Sequence, residues 1–305
     1  MRPLSQPSPA AHADGRRRRR ADLVASLCLV LWIALATGVL YAFGLSIWTA
    51  LFVLIVLACP LTAGYVLVLA HLRPRLPLGP PPQTRGITMD WLAPVYNPFC
   101  RLMGVGMGVR RRTLGLAALR AGDRVLDVGC GTGVLTRLAA EAVGPTGMTV
   151  GIDPGPRMIE IARRDAARTH SRAAFELGVV ERLAFPDESF DVVLSSFMLH
   201  HLPADVKRAG LGEMHRVLKP GGRLVLVDID PARPVARAMI ALFKHVPDYR
   251  PALSAAGDPV PPLREAGFTD VAAAGGWLGA ASFWVARRSG GREPGRPGSR
   301  QETRR

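Results

Sequence analysis

The chain has 305 residues, of which 49% are hydrophobic, and a formal net charge of +15. This length allows one large domain or one domain with an appendage. So strong a positive charge would suit nucleic-acid binding, but no nucleic-acid-binding motif accompanies the arginines, and we expect no nucleic-acid partner. The four cysteines form no CxxC pair and have no metal-ligand spacing. We therefore expect neither a disulfide framework nor a metal site.

The first quarter of the chain is its most apolar part. No residue between Leu23 and Ala70 is charged. A continuous helix of that length, at ~1.5 Å per residue, would be more than twice as long as the ~30 Å hydrocarbon core of a bilayer. Two spans fit better, over Leu23–Phe43 and Ile47–Leu69. We predict a two-helix transmembrane hairpin over residues 22–72.

The arginines that flank this hairpin predict its orientation. Arg16–Arg20 precede the first span and Arg73, Arg75 and Arg85 follow the second, whereas the turn between the spans has none. Both ends are therefore expected in the cytoplasm of a multi-pass cell-membrane protein, in contact with membrane lipids. A cleaved signal peptide is the alternative, because a basic run also precedes its apolar segment. No small-residue cleavage site interrupts the apolar stretch.

The remainder divides by composition. Residues 1–21 and 288–305 are rich in Arg, Pro, Gly and Ser without apolar periodicity, which predicts disordered basic ends. Residues 73–87 are proline-rich and predict a stiff, extended linker. A folded domain is expected over residues 88–287.

Short β-branched runs alternate with amphipathic stretches in this domain, which predicts an α/β fold with a parallel sheet. Amphipathic helices are expected over Arg157–Ala167 and Val206–Leu218. Strands are predicted, in chain order, over Arg124–Val128, Thr149–Ile152, Ala174–Leu177, Asp191–Ser195 and Arg223–Val227, near Val271, and over Ser282–Ala286.

A glycine-rich turn follows the first predicted strand. Its spacing is G-x-G-x-G, at Gly129, Gly131 and Gly133, and Asp127 precedes it. Dinucleotide-binding turns have the spacing G-x-G-x-x-G, so this turn favours a ligand with an amino-acid moiety over one with a diphosphate. Asp153 ends the second strand, where a carboxylate can accept hydrogen bonds from ribose hydroxyls. Alternatively, Asp153 is the N-cap of the helix that follows.

These segments resemble the successive motifs of class I S-adenosylmethionine-dependent methyltransferases, in the order and spacing of that family. The matching segments are Leu126–Gly133, Gly151–Pro154, Phe185–Asp191 and Leu218–Gly222. The resemblance implies a Rossmann-like, seven-stranded sheet with an antiparallel last strand and helices on both faces. It implies S-adenosylmethionine as cofactor, held by Asp127, Gly129, Gly131, Gly133, Asp153, Val180 and Ser195.

Within that family the chain is most similar to the ubiquinone and menaquinone C-methyltransferases. Trp91–Asn97 and Arg101–Gly106 resemble the helical lead-in that closes over the cofactor in that group. One departure lies after the third strand. Val179 stands where many relatives have the aspartate that meets the adenine amino group, although the Val180 amide could still reach the ring. Cofactor binding is therefore expected to be weaker or differently arranged.

A second departure follows the fourth strand. His200 and His201 stand where the quinone methyltransferases have Arg-Asn, so the resemblance does not carry quinone specificity over. Either histidine could act as a general base near neutral pH. Alternatively, His201 only forms a hydrogen bond within the turn. Tyr96, Phe197, Met198 and His200 are the candidates to line an acceptor pocket.

The sequence thus predicts a membrane-anchored methyltransferase acting on a small, lipophilic acceptor. Two alternatives remain. An inactive S-adenosylmethionine-binding module is compatible with Val179, and a nicotinamide-dependent oxidoreductase is disfavoured by the glycine spacing and by Lys219–Gly222.

Overall fold

A computed structural model of the chain describes residues 81–243 and 257–290. The predicted hairpin, the basic N-terminus, the first part of the linker and most of the basic tail lie outside these residues. Within the two described ranges, no helix is both long and apolar enough to cross a membrane.

The described residues form a three-layer α/β domain preceded by short helices. A 3₁₀ helix (Asp90–Val95) opens the lead-in, and a second short 3₁₀ helix spans Leu199–His201. The α-helices are α1 (Tyr96–Leu102), α2 (Met107–Ala117), α3 (Val134–Val143), α4 (Pro156–Arg168), α5 (Ala204–Val217), α6 (Pro234–Phe243) and α7 (Val260–Glu265). The strands are β1 (Arg124–Val128), β2 (Met148–Asp153), β3 (Ala174–Leu177), β4 (Phe190–Ser196), β5 (Leu218–Ile229), β6 (Phe268–Trp277) and β7 (Ala281–Arg288).

The seven strands form one sheet in the order β3-β2-β1-β4-β5-β7-β6. Strands β1 to β5 run parallel to one another, and β7 pairs antiparallel with both β5 and β6. The expected seven-stranded Rossmann-like sheet with an antiparallel last strand is confirmed. The strand order reverses between β1 and β4, and a crevice at such a point is where ligands bind in open α/β sheets.

The fifth strand begins earlier than the sequence predicted. Leu218 pairs with Phe190, the next pair joins Arg223 to Val192, and the register shifts between the two pairs. The Lys219–Gly222 segment is therefore an irregularity inside β5, with Gly221 at φ 76°. The prediction of a helix ending at Leu218 was wrong by one residue, because Leu218 already belongs to the sheet. Glycine and proline are tolerated in a strand at such irregularities.

Alternating side chains of the central strands pack on opposite faces of the sheet. Val125 joins a buried cluster with Leu135 and Ala139 of α3, whereas Leu126 joins one with Leu211 and Met214 of α5. Helices therefore cover both faces, as the almost entirely apolar central strands require. This packing leaves the carboxyl ends of β1, β2 and β4 to form the site described next.

Candidate functional site

A cleft lies at the carboxyl ends of the central strands. Its walls come from the turn after β1, the end of β2, the residues after β3 and β4, and the segment Thr84–Met89. Thr84–Ile87, which the sequence placed in the linker, contact the domain here, and the Ile87 amide donates to the His201 carbonyl at 2.9 Å.

The glycine turn after β1 brings main chain to the cleft surface. Gly129 and Gly131 line the cleft with φ angles of 75° and 54°, a region that favours glycine. A Cβ on Gly129 would lie 2.4 Å from Met198 Cγ, and one on Gly131 would lie 3.3 Å from the Tyr96 ring. Gly133 does not line the cleft. A Cβ there would lie 2.3 Å from the Phe175 ring, so this third glycine allows α3 to pack closely against β3.

Asp153 lines the cleft at the end of β2. Its Oδ2 accepts a hydrogen bond from the Gly131 amide and its Oδ1 one from the Gly155 amide, both at 2.9 Å. A carboxylate has about four lone-pair positions, so two stay available to a ligand. Burial raises the pKa of Asp153 to about 6, with a contribution from the negative charge of Asp90.

The hydrogen bonds of the first turn of α4 test the alternative that Asp153 is the N-cap of this helix. The amides of Arg157 and Met158 in its first turn donate to Asp90 Oδ1 at 2.7 and 3.1 Å. Asp90 therefore satisfies the helix terminus from the lead-in, and Asp153 Oδ1 bonds only the Gly155 amide that precedes α4. Local sequence patterns did not indicate this role of Asp90, because Asp90 lies far from α4 along the chain.

Asp127 is buried beside the glycine turn and does not line the cleft. Thr136 Oγ1 donates to its Oδ2 at 2.6 Å, but its Oδ1 has no hydrogen-bond partner among the described residues. Burial raises its pKa to about 6, and the negative charge of Asp153 adds to this. Ser195, on β4, is also buried and its Oγ also lacks a described partner. Buried polar atoms without partners are uncommon and mark positions where a donor could be accommodated.

The residues after β3 form another wall. Val179 and Val180 both line the cleft, and the Val180 side chain packs against Gly210 of α5. Thr84 Oγ1 donates to Glu181 Oε1 at 2.6 Å, while Glu181 Oε2 is buried without a described partner. Sequence reasoning missed this pair, because its members are 97 positions apart.

The two histidines after β4 have different surroundings. His201 lines the cleft and its Nδ1 is buried without a described partner. Burial lowers its pKa to about 3, and the neighbouring His200 adds to this, so His201 is neutral near pH 7. His200 does not line the cleft. Its Nδ1 lies 2.6 Å from Asp228 Oδ1, and its ring centroid lies 4.0 Å from that of His201.

Comparisons with known proteins agree with this geometry. Residues 125–222 match a family model described as a methyltransferase domain. The chain is 36% identical over 143 residues to a demethylmenaquinone methyltransferase of Symbiobacterium thermophilum, covering 46% of this chain and 56% of that one. It is 39% identical over 142 residues to the enzyme of that name in Thermus thermophilus, covering 46% and 63%. Residues 125–222 therefore carry a methyltransferase domain.

The similarity leaves part of each relative unmatched, since the chain spans 56% and 63% of the lengths of these two methyltransferases. Among solved structures, the [4+2]-cyclase SpnF is similar in fold, with a TM-score of 0.53 and 20% identity. The match covers 72% of this chain and all of that one. This similarity concerns the fold alone.

The methyltransferase cleft fits S-adenosylmethionine on three observations. The unpartnered Asp127 Oδ1 can accept a hydrogen bond from a cationic amino group, as the methionine part of the cofactor carries. Asp153 retains the lone pairs that ribose hydroxyls need, and Gly129 and Gly131 leave room beside the main chain. Val179 provides no acceptor for the adenine amino group, and Glu181 is the nearest carboxylate along this wall.

The predicted site residues of the methyltransferase therefore fall into two groups. Gly129, Gly131, Asp153, Val180 and His201 line the cleft together with three of the four acceptor-pocket candidates, Tyr96, Phe197 and Met198. Asp127, Gly133, Ser195 and His200 do not line it. Sequence reasoning also missed Asp228. The sequence did indicate this residue, because Asp228 is a carboxylate at the end of the apolar run of β5, the strand next to β4.

Proposed function

We propose that this protein is a membrane-anchored methyltransferase that transfers the methyl group of S-adenosylmethionine to a small lipophilic acceptor of the quinone type. The observation that carries the proposal is the pairing, in one cleft, of Asp153 with the apolar side chains of Phe197 and Met198. The first provides hydrogen-bond acceptors for a ribose, and the others provide an apolar surface for an acceptor. Relatives named demethylmenaquinone methyltransferase support an acceptor of this class.

The chain's own residues would act mainly by holding S-adenosylmethionine and aligning it with the acceptor. S-adenosylmethionine, when bound, supplies a methyl group on a positively charged sulfur. Asp127 and Asp153 would hold the amino group and the ribose, and the glycine turn would bring main chain against the methionine part. The apolar side chains of Phe197 and Met198 would shield the reacting groups from water once both ligands are bound. Alignment of the two reactants in a dry site can supply several kcal/mol, on the order of 7–11 in the best cases.

A phenolic or hydroquinone acceptor becomes nucleophilic when its hydroxyl loses a proton. His201 is neutral and reaches the cleft, so we assign to it a hydrogen bond with that hydroxyl. Its low pKa makes it a poor proton acceptor. We assign proton uptake to the adjacent His200, whose ring centroid lies 4.0 Å from that of His201 and whose Nδ1 contacts Asp228 Oδ1. Asp228 is then a positioning residue, and its pKa is kept below the usual range by His200 against the opposing effect of burial.

Membrane anchoring rests on the sequence of residues 22–72. The hairpin, with both ends in the cytoplasm, would hold the cleft near the inner leaflet. Tethering raises the effective concentration of an acceptor that is dissolved in the same bilayer. The anchor, the cytoplasmic orientation and the lipophilic acceptor thus form one proposal.

Labelling tests the proposal directly. Full-length protein is incubated with S-adenosylmethionine carrying a labelled methyl group and with a lipid extract of the host, and the labelled products are identified by mass spectrometry. We expect label in a lipid-soluble molecule. Asp153→Ala is the matched control and should give none. Cofactor binding without any labelled product would support the inactive binding module instead, and a water-soluble product would contradict the lipophilic acceptor.

A further inference from the structure

Six of the large apolar side chains that are exposed in the described residues come from three segments. Leu102 is 82% exposed and Leu278 is 65% exposed, which are the highest values among them. We call the six residues the apolar patch: Phe99, Leu102, Met103, Met107, Val235 and Leu278. Single exposed apolar residues are ordinary, but several on neighbouring segments mark an interaction surface.

Five of the six patch residues lie on segments that contact one another. Phe99, Leu102 and Met103 are three and four positions apart on α1 and its end, so they share one side. Leu278, in the turn between β6 and β7, lies against Gly104, because a Cβ on Gly104 would lie 2.3 Å from Leu278 Cδ1. The Val235 amide at the start of α6 donates to the Gly279 carbonyl at 3.0 Å, next to Leu278.

The exposed charges around the patch are mainly positive, because the neighbouring Asp230 is largely buried and lies 3.6 Å from Arg233 Nε. The three contributing segments, residues 96–122, 231–243 and 271–290, contain no Asp or Glu. They contain several arginines, of which Arg101, Arg111 and Arg237 are exposed and have no salt bridge within the described residues. Exposed apolar side chains within a basic rim suit the surface of an anionic bilayer. A symmetric contact between two copies would place the same arginines opposite each other and is disfavoured by their repulsion.

The apolar patch also connects with the cleft. Val105 and Trp277, which follow and precede patch residues in the chain, pack against a buried cluster that includes Phe283. Phe197 packs against the same cluster and lines the cleft. A continuous apolar region therefore leads from the patch to the wall that we assign to the acceptor.

We infer that the apolar patch is a docking surface with which the methyltransferase domain inserts into the surface of an anionic lipid bilayer. This contact is additional to the predicted hairpin, and it turns the acceptor side of the cleft towards the lipid. The inference rests on the proposed function only for the lipophilic nature of the acceptor. The docking itself requires no catalysis, so the two can fail separately.

Tryptophan quenching by brominated lipid tests the docking. Full-length Leu278→Trp and Leu102→Trp are reconstituted in vesicles of phosphatidylcholine with phosphatidylglycerol, with and without bromine on the acyl chains. Glu176→Trp, at an exposed position of β3 at the opposite edge of the sheet, is the matched control. Emission of the unsubstituted protein is subtracted. We expect bromine to quench the two patch tryptophans and not the control, and to quench them less without phosphatidylglycerol.

Quenching of the patch tryptophans no stronger than that of the control would overturn the inference. A blue shift that increases with protein density and is insensitive to bromine would show contact between copies, and it too would overturn it. A second variant tests whether this docking brings the acceptor to the cleft. Val235→Glu with Leu278→Glu should lower methylation of a vesicle-borne acceptor several-fold and leave methylation of the detergent-dispersed acceptor unchanged. If neither form is methylated even by the unsubstituted protein, the proposed function fails, whereas the quenching result stands.

Discussion

The amide of Gly131 donates a hydrogen bond to Asp153 Oδ2 over 2.9 Å. This bond joins the glycine turn after β1 to the end of β2, and Asp153 Oδ1 in turn holds the Gly155 amide. One carboxylate thus shapes both loops of the cofactor cleft while presenting its remaining lone pairs to the ligand. A substitution at Asp153 must therefore be interpreted with a control for the shape of the turn.

Asp153→Ala should weaken S-adenosylmethionine binding by at least about 100-fold, since each hydrogen bond to a charged acceptor contributes about 1.5–3 kcal/mol. Isothermal titration calorimetry measures this. Asp153→Asn is the matched control, because its amide oxygen can still accept one hydrogen bond and should retain part of the affinity. Thermal unfolding without cofactor shows whether each variant is folded. Unchanged affinity in the folded Asp153→Ala variant would refute the assignment of the ribose to Asp153.

Cofactor affinity should fall as the pH drops through about 6. The pKa values of Asp127 and Asp153 are both raised to about 6, chiefly by burial, and both residues would accept hydrogen bonds from the cofactor as carboxylates. Below that pH they are protonated and bind a cationic amino group or ribose hydroxyls less well. Calorimetry between pH 5 and pH 8 in one ionic strength measures the trend. Affinity that is constant over this range would contradict the roles of both residues.

The same raised pKa values have the opposite effect on the cofactor-free protein. The folded state binds the two protons more tightly than the unfolded state does. The stability contributed by these groups is therefore present below about pH 4 and is lost as the pH rises through about 6. Because the cofactor binds the deprotonated carboxylates more tightly, the increase in Tm that it causes should grow from pH 5 to pH 7.

Local patterns predicted β1, β2 and β3 well because each is a short, mostly apolar run that ends at or just before a glycine or a charged residue. Arg124–Val128 and Ala174–Leu177 were predicted with the bounds that the structure gives them. The fifth strand was shortened, because Pro220 and Gly221 indicate a turn when the neighbouring strand is unknown. The contacts of Asp90 with α4 and of Thr84 with Glu181 could not be predicted, because they join residues that only the folded chain brings together.

Val179→Asp restores the residue that many relatives have, and it should raise S-adenosylmethionine affinity if the adenine is held as in them. Val179 lines the cleft after β3, so a carboxylate there could accept a hydrogen bond from the adenine amino group. Val179→Thr, which is similar in shape and uncharged, is the control and should bind like the unsubstituted protein. Lower affinity in Val179→Asp would show that this wall is built differently, with Glu181 as the carboxylate in place.

His200→Asn and Asp228→Asn should lower kcat with little effect on the KM for S-adenosylmethionine, because the pair acts on the acceptor's proton and not on the cofactor. Asp228→Asn should also change the pH profile of kcat, since a merely structural role of the 2.6 Å contact would not do so. His201→Asn should raise the KM for the acceptor. Identical pH profiles for Asp228→Asn and the unsubstituted protein would exclude proton uptake by His200.

Removal of the predicted hairpin tests whether residues 22–72 deliver the acceptor. A chain that begins at Gln83 lacks residues 22–72 but keeps the hydrogen bonds of Thr84 to Glu181 and of Ile87 to His201. The cleft should therefore retain its shape and its cofactor affinity. On an acceptor carried in vesicles, the shortened protein should lose most activity, because the effective concentration that the tether provides is lost. On the same acceptor dispersed in detergent, it should be as active as the full chain.

Activity on the detergent-dispersed acceptor distinguishes loss of the tether from damage to the domain. Calorimetry with S-adenosylmethionine confirms that the shortened protein is folded. Adding the Val235→Glu and Leu278→Glu substitutions to it places negative charge on the apolar patch as well. If tether and patch each contribute to membrane contact, this combined variant should have the lowest activity on vesicles. Methylation of vesicle-borne acceptor by the shortened protein at the rate of the full chain would show that residues 22–72 do not deliver the acceptor. Any residual activity on vesicles that the two glutamates abolish would then be due to docking through the patch.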